Sequence, residues 1–393
     1  MITYPRGFRA AAVAAGLKPG RDDLALLVAD GACAAAGVFT QNRATAAPVL
    51  VSREHLRAGR ARAVVVNAGC ANAATGEAGL RDAREMAALT ARAIGCAAEE
   101  VVVASTGVIG VPLPMDKIRT GIAKAAGQLS PDGGASVARA IMTTDTKPKE
   151  IAFEVLLAGG TARLGGMAKG AGMIAPNMAT MLAFFTTDAQ VAPALLQRAL
   201  VEAVGDSLNR ITVDGDTSTN DMAVVLASGA SRLPEIAAEG AAFEAFRNAL
   251  TQGARRLAEM IVRDGEGVTR VAWVRVEGAA SPGDADRIAR TVAESPLVKT
   301  ALHGGDPNWG RILAAAGRSG VEVDLAGLDI FIGDVQVAEG GAARAYDEAV
   351  AAAAMREDPV RLRLRFRAGA AKGSFFTSDL SHGYVDINAH YRS

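Results

Sequence analysis

The chain has 393 residues, enough for about two or three structural units, and half of them are apolar but only 4% aromatic, so its cores must be built from Ala, Val, Leu and Ile. Forty-two basic residues cancel 42 acidic ones, which argues against nucleic acid or an anionic membrane as the main partner, since both select a basic surface. Three cysteines (Cys33, Cys70, Cys96) without a CxxC pair, and four histidines, argue against a structural zinc site and fit free thiols in a reducing compartment.

In chain order, "RGFRAAAVAAGL" is weakly hydrophobic and runs on into "KPGRDDLALLV" without a clear processing site, so the chain is expected to be cytoplasmic. No apolar run approaches the length of a membrane span. "DLALLVA", "AAGVFT", "ARAVVVNAG" and "EVVVAST" read as Val-rich strands bounded by Gly or Asn. "LRDAREMAALTARAIG" and "MDKIRTGIAKAAGQL" carry apolar residues at helical spacing. "EIAFEVLL" and "TARLGGMAKG" read as a hairpin joined at Gly159-Gly160. A strand follows Thr180, then a helix opened by Pro193, a buried strand in "NDMAVVLASG" and a long helix over Ala241 to Arg263. The Pro/Gly/Ser-bearing "ASPGDAD" predicts a boundary near 280. Beyond it come a helix over Ala285–Glu294, a "DPNWGR" turn opening another helix, and "VRLRLRFRAG", whose strict alternation predicts a strand with one wet face. The class is mixed α/β with much antiparallel sheet, without Rossmann-type βαβ regularity or internal repeats.

One junction is unusual. "KGAGMIAPNMATMLAFFTTDA" (Lys169–Ala189) sets a glycine-, methionine- and proline-bearing loop against an apolar, aromatic strand, with Thr180 where they meet. A threonine hydroxyl is a weak nucleophile unless a base takes its proton, and a threonine at a chain's N-terminus carries that base as its own α-amine. Cutting the bond before it, by attack of the hydroxyl on the Ala179 carbonyl, would create that terminus. An ordinary strand-opening threonine has the same local sequence. Lys169 can bind a carboxylate or serve as a solvated loop lysine. In "ASTGVIG", the Thr106 hydroxyl and Gly107 N–H can form an oxyanion hole or a strand-ending turn. "MTTDTKPK" gathers three hydroxyls, an acid and two lysines, suited to a small zwitterion or to a loop after a helix. "DGEG" (Asp264–Gly267) can orient an ammonium or stop a helix. "DGDTSTND" (Asp214–Asp221) reads as a polar turn before a strand, without a phosphate loop. Ser381-His382 lacks a G-x-S-x-G elbow.

Together these blocks give the sequence a resemblance to the ornithine acetyltransferase family, also called bifunctional glutamate N-acetyltransferases, of arginine biosynthesis. The resemblance spans nearly the whole chain, from "GFRAAAVAAGLKPGRDDLALLVAD" through "VVVNAGCANAATG", "ASTGVIG", "AIMTTDTKPK", "GGMAKGAGMIAPNMATMLAFFTTDA", "VDGDTSTND", "DGEGVT" and "LVKTALHGGDPNWGRILAAAG" to "SDLSHGYVDINAHYRS". It implies an α+β fold: an α/β/β/α sandwich shared with self-cleaving aminopeptidase–amidases, over 1–280, and a smaller α/β C-terminal domain, 281–393, whose tail returns to the site. It implies self-cleavage between Ala179 and Thr180 into an α chain (1–179) and a β chain (180–393), with Thr180 as the acetyl-carrying nucleophile. Thr106 and Gly107 match the oxyanion-hole pair, and Thr143, Lys169, Thr180, Glu266, Asn388 and Ser393 match substrate-binding positions.

The implied reaction is ping-pong transfer of acetyl from N-acetyl-L-ornithine to L-glutamate, with no metal or prosthetic group, in an α2β2 assembly. Members differ in whether they also take acetyl from acetyl-CoA, and no residue decides it here. The chain departs from the family's pattern at "NAGCANA", which carries Cys70 where relatives have "NSGNANA", and at Ser393, where many have threonine. Two rivals stay open: a self-cleaving N-terminal-nucleophile aminopeptidase or amidase on the same fold, and an uncut small-molecule binder.

Overall fold

A computed structural model describes residues 1–175 and 181–390. The chain divides into two compact units, the first holding residues 1–209 and 216–261. In order it contains β1 (Phe8–Val13), β2 (Leu24–Phe39), α1 (Ala47–His55), β3 (Arg60–Cys70), α2 (Gly76–Ile94), β4 (Val101–Val108), α3 (Met115–Ala126), α4 (Gly134–Ala140), β5 (Lys149–Leu157), β6 (Gly160–Lys169), β7 (Leu182–Thr187) and α5 (Pro193–Gly205). After β8 (Ile211–Thr212), which belongs to the second unit, come β9 (Met222–Ala227) and α6 (Ala241–Arg263).

One mixed sheet runs β4-β3-β2-β9-β7-β6-β5, with β1 also paired to β2. The pairs β3–β4 and β7–β9 are parallel and the others antiparallel. The runs "DLALLVA" and "AAGVFT" are one 16-residue strand rather than two. Its first half pairs with β1 and its second with β9, and its register with β3 shifts between Val28 and Cys33. Asp30-Gly31 reads as a break in sequence, but it is only the irregular middle of this strand.

Successive side chains of a strand point to opposite faces, and here both faces are dry. Leu24, Leu26 and Val28 pack with Met86 of α2 and Ile118 and Ile122 of α3. Ala25, Leu27 and Ala29 join Val137 and Ala138 of α4, Met167, Phe184 and Val224. That is why these strands read as unbroken apolar runs rather than as alternating ones. Cys70 belongs to the first of these clusters, so its thiol is a core group, and burial raises its pKa. The β5–β6 hairpin turns where expected, with Leu157 opposite Gly160 and Gly159 at φ +89°.

The second unit holds, of the described residues, 210–215 and 262–390. It contains β10 (Val271–Ala279), α7 (Pro282–Ala293), α8 (Pro296–Gly304), α9 (Trp309–Gly317), β11 (Asp329–Ile332), β12 (Val335–Glu339), β13 (Ala342–Ala343), α10 (Glu348–Ala354), β14 (Val360–Arg365), β15 (Ala371–Ser378) and α11 (His382–His390). Its sheet runs β13-β12-β11-β14-β10-β15-β8. Val360, Leu362 and Leu364 of "VRLRLRFRAG" enter the core, and the arginines between them face outward. The break expected near 280 lies inside this unit. β10 is bound on both sides, to β14 and β15, and "ASPGDAD" is the start of α7, where the Ser281 hydroxyl accepts from the Asp284 N–H at 3.1 Å. A capping serine followed by proline has the composition of a linker, but its role here is to open a helix. Mixed sheet with helices in both units is the α+β class expected.

Candidate active site

At the ends of β3 and β4 the parallel register breaks: Cys70 pairs with both Thr106 and Val108. Gly107 sits at φ +129°, and a Cβ on it would lie 2.3 Å from the Gly69 carbonyl carbon and 2.6 Å from the Cys70 nitrogen. Only glycine allows the two backbones to come this close. The buried Thr106 beside it accepts a hydrogen bond on Oγ1 from Lys169 Nζ at 3.2 Å. With the lysine on its acceptor side, the hydroxyl has its hydrogen to offer to an incoming oxygen. The expected oxyanion donor and the expected carboxylate binder, 63 positions apart, therefore touch.

Lys169 ends β6, and the next residue fixes its surroundings. Gly170 N–H donates to Asp145 Oδ1 at 2.7 Å, Lys149 Nζ donates to the same oxygen at 2.6 Å, and Thr143 N–H donates to Oδ2 at 3.0 Å. Burial pushes the Asp145 carboxyl up, but the Lys169 and Lys149 ammoniums, the Lys149 hydrogen bond and the Gly170 N–H outweigh it and hold the group at about 2. Lys18 completes the cluster. Its Nζ donates to the Ala140 and Met142 carbonyls at 3.0 and 2.8 Å, and burial, aided by Arg21, pulls it down to about 8. Lys18, Arg21, Lys149 and Lys169 thus outnumber the acids Asp145 and Asp23 among them, which leaves the site net positive and suited to carboxylates.

Asp145 is the stabilising centre of this cluster. Asp145→Asn is expected to cost about 3–5 kcal/mol at neutral pH, because it breaks the buried ion pair with Lys149. A carboxyl held at about 2, against an ordinary 3.8, contributes stability above pH ~4 that is lost as pH falls toward 2. Urea midpoints of wild type and variant should therefore differ most at neutral pH and converge in acid; an equal gap at pH 3 and pH 7 contradicts this.

In the second unit the Glu266 carboxylate is buried and accepts from Asn388 Nδ2 at 2.8 Å. The Ser381 hydroxyl donates to the Gly267 carbonyl at 2.5 Å and accepts from the Tyr384 N–H at 3.2 Å, which ties the start of α11 to the Glu266 loop. Gly267, at φ +67°, has no room for a Cβ, which would lie 2.2 Å from the Tyr384 nitrogen. Among the described residues no lysine or arginine forms an ion pair with Glu266.

The structure thus brings Thr106, Gly107, Thr143 and Lys169 together in one unit, and Glu266 with Asn388 in the other. Ala179, Thr180 and Ser393 lie outside the described residues. Lys18, Asp145 and Asp221 were not singled out by the sequence. Asp145 and Asp221 stand inside quoted blocks as unassigned acids, and Lys18, in "KPG", has no local signal at all. Asp221 is buried, with Oδ2 unpaired among the described residues, and burial pushes its carboxyl well above the usual range despite Ser218 and Lys169. Among the described residues no group of His, Cys, Asp and Glu has metal-ligand spacing, and no helix is long and apolar enough to cross a membrane.

The profile of the ArgJ family matches residues 9–393. Over its full length the chain is 51% identical to 98% of the arginine biosynthesis bifunctional protein ArgJ of Symbiobacterium thermophilum. Over 99% of its length it is 49% identical to 96% of the protein of the same name from Dehalococcoides mccartyi. The crystal structure of the arginine biosynthesis bifunctional protein ArgJ from Bacillus halodurans superposes with a TM-score of 0.52 and 42% identity, over all of that chain and 54% of this one.

Proposed function

The chain belongs to the ArgJ family, and from that premise we propose that it is an N-acyltransferase moving acetyl from N-acetyl-L-ornithine to L-glutamate through an acetyl-threonine on Thr180. The hydrogen bond from Lys169 to Thr106 is the observation that carries this reading: it joins the group that anchors a substrate carboxylate to the group that stabilises the oxyanion. The net positive lysine cluster around it supports an acidic acceptor such as glutamate.

In this reading the precursor cuts itself before Thr180. The freed α-amine, with an ordinary pKa of about 8, takes the hydroxyl proton as Oγ attacks the acetyl carbonyl. Thr106 and Gly107 receive the oxyanion, a role worth about 3–4 kcal/mol per donor. L-ornithine leaves, and the glutamate amine attacks the acetyl-threonine. Lys169, with Thr143, holds a substrate carboxylate; Glu266, fixed by Asn388, holds an ammonium, and Ser393 is a further substrate-binding residue. No step needs a metal or prosthetic group. Both curated relatives are named bifunctional, and we read the second activity as acetylation of glutamate by acetyl-CoA. The working assembly is α2β2, in the cytoplasm.

Two measurements test this. Intact mass under denaturing conditions should show fragments 1–179 and 180–393. Isotope-labelled N-acetyl-L-ornithine should pass its label to glutamate. Label released as free acetate with none on glutamate would favour the amidase reading, and a single uncut chain with no transfer the binder.

A further inference from the structure

The mechanism above uses Glu266 and Asn388 but leaves open what brings them together. Glu266 lies on the 264–270 loop between α6 and β10, and Asn388 lies on α11. Between β15 and α11 stands a buried acid that the mechanism does not use, Asp379, 3% exposed. Its Oδ1 accepts the N–H groups of Thr269 and Arg270 at 2.9 and 3.1 Å. Its Oδ2 accepts from the Thr269 hydroxyl at 2.5 Å and from His303 Nδ1, on α8, at 2.8 Å. Its own N–H donates to the Arg270 carbonyl at 2.9 Å.

Burial pushes the Asp379 carboxyl up, but the Thr269 hydroxyl and N–H, His303 and the Arg270 N–H outweigh it and hold the group below the ordinary carboxylate range. An ionised carboxylate offers roughly four lone-pair sites, and these donors fill them. Asp379 therefore has no capacity left for a substrate; what it holds is chain.

The chain it holds carries the site. Three of its donors belong to Thr269 and Arg270, shortly after Glu266. Two residues beyond Asp379, the Ser381 hydroxyl donates to the Gly267 carbonyl and accepts from the Tyr384 N–H. The 379–381 segment thus grips the Glu266 loop at two places and opens the helix that bears Asn388, so it sets both members of a pair that meet at 2.8 Å across 122 positions. Gly265 and Gly267 flank Glu266, and glycine restrains the backbone least, so these anchors decide where the Glu266 carboxylate stands.

We propose that Asp379 is a positioning residue for one substrate alone: by holding Thr269 and Arg270 it places the Glu266 carboxylate to meet the side-chain ammonium of N-acetyl-L-ornithine. This rests on the reading of Glu266 as the ammonium binder. N-acetyl-L-ornithine has one free amine, at the end of its side chain, charged at neutral pH as a lysine amine is. L-Glutamate has a single amine, which must be neutral to attack the acetyl-threonine. A shift of Glu266 therefore weakens the acetyl donor and spares the acceptor.

Ping-pong transfer lets the two be read apart, because kcat/KM for each substrate reports its own half-reaction. Asp379→Ala should lower kcat/KM for N-acetyl-L-ornithine about tenfold or more, the scale of one hydrogen bond to a charged group, with that for L-glutamate nearly unchanged. Asp379→Asn should recover most of the loss, since its carbonyl oxygen can still take both N–H groups while the Thr269 hydroxyl and a neutral His303 accept from its amide. Thr269→Val removes one donor and should show a smaller loss on the same substrate; it carries the comparison if melting curves show that Asp379→Ala does not fold. In a Glu266→Gln background Asp379→Ala should add little, as changes acting through one contact are not additive. Equal losses for both substrates overturn the proposal, and so does a full further loss in the Glu266→Gln background. A Glu266→Gln enzyme with unchanged kcat/KM for N-acetyl-L-ornithine sinks the ammonium reading of Glu266 itself, which is a separate outcome.

Discussion

Thr180→Ala should yield a single uncut chain that transfers no acetyl. Both activities are assigned to one oxygen, so removing it takes away the attack that opens the Ala179–Thr180 bond and the atom that carries acetyl between substrates. It also leaves the nitrogen of residue 180 in an amide, where it cannot act as a base. Loss of a nucleophile that acts as a unit with its base costs about 10⁴-fold or more in kcat. Thr180→Ser is the informative companion, since it keeps a hydroxyl and should retain both cleavage and measurable transfer. Intact mass and a labelled-acetyl assay on the same preparations read the two effects. Transfer persisting in the alanine variant would contradict the covalent mechanism outright.

The second large effect is expected at the oxyanion edge. Thr106→Val keeps the side-chain shape and removes the hydroxyl that lies against Lys169. Transfer should fall about 10²–10³-fold, the usual cost of one oxyanion donor, with little change in KM, because the donor acts on charge that exists only in the transition state. Gly107→Ala should be worse. Its methyl group would have to enter backbone atoms at 2.3 and 2.6 Å, at a φ of +129°, so β3 and β4 must separate there and the N–H moves with them. Steady-state kinetics decides the first: a Thr106→Val enzyme changed in KM alone removes Thr106 from the oxyanion hole. Melting temperature separates the second from a simple loss of fold.

Much of this was readable in sequence, for identifiable reasons. Thr106, Gly107, Lys169, Glu266 and Asn388 stand in distinctive blocks, and the structure pairs Thr106 with Lys169 and Glu266 with Asn388. Alternation in "VRLRLRFRAG" and the glycines after Leu157 predict a strand and a hairpin because those signals are local. What escaped was set by distant partners. β2 reads as two strands because its middle is polar, and its continuity comes from different neighbours on its two halves. The "ASPGDAD" segment has the composition of a linker and the job of a helix cap. Lys18 acquires its role only when residues more than a hundred positions apart meet, as it meets Met142, and Asp145 only when β5 and the end of β6 bring Lys149 and Gly170 to one carboxylate, and no periodicity encodes either.

The strand order of the first unit bears on what a cut before Thr180 would leave. β9 and β7, which follow the cut, stand side by side in the sheet, between β2 on one flank and β6 and β5 on the other, all of which precede it. The pair β7 and β9 of one fragment would be wedged between strands of the other, β9 hydrogen-bonded to β2 and β7 to β6. Neither piece could leave without tearing its neighbour's sheet, so scission would release no fragment while the fold lasts. Unfolding, though, would become dissociation, and the separated halves could regain the native sheet only by finding each other again, a second-order event that dilution opposes. A chain that folds by itself would thus become, through its own chemistry, an assembly held together by having folded first.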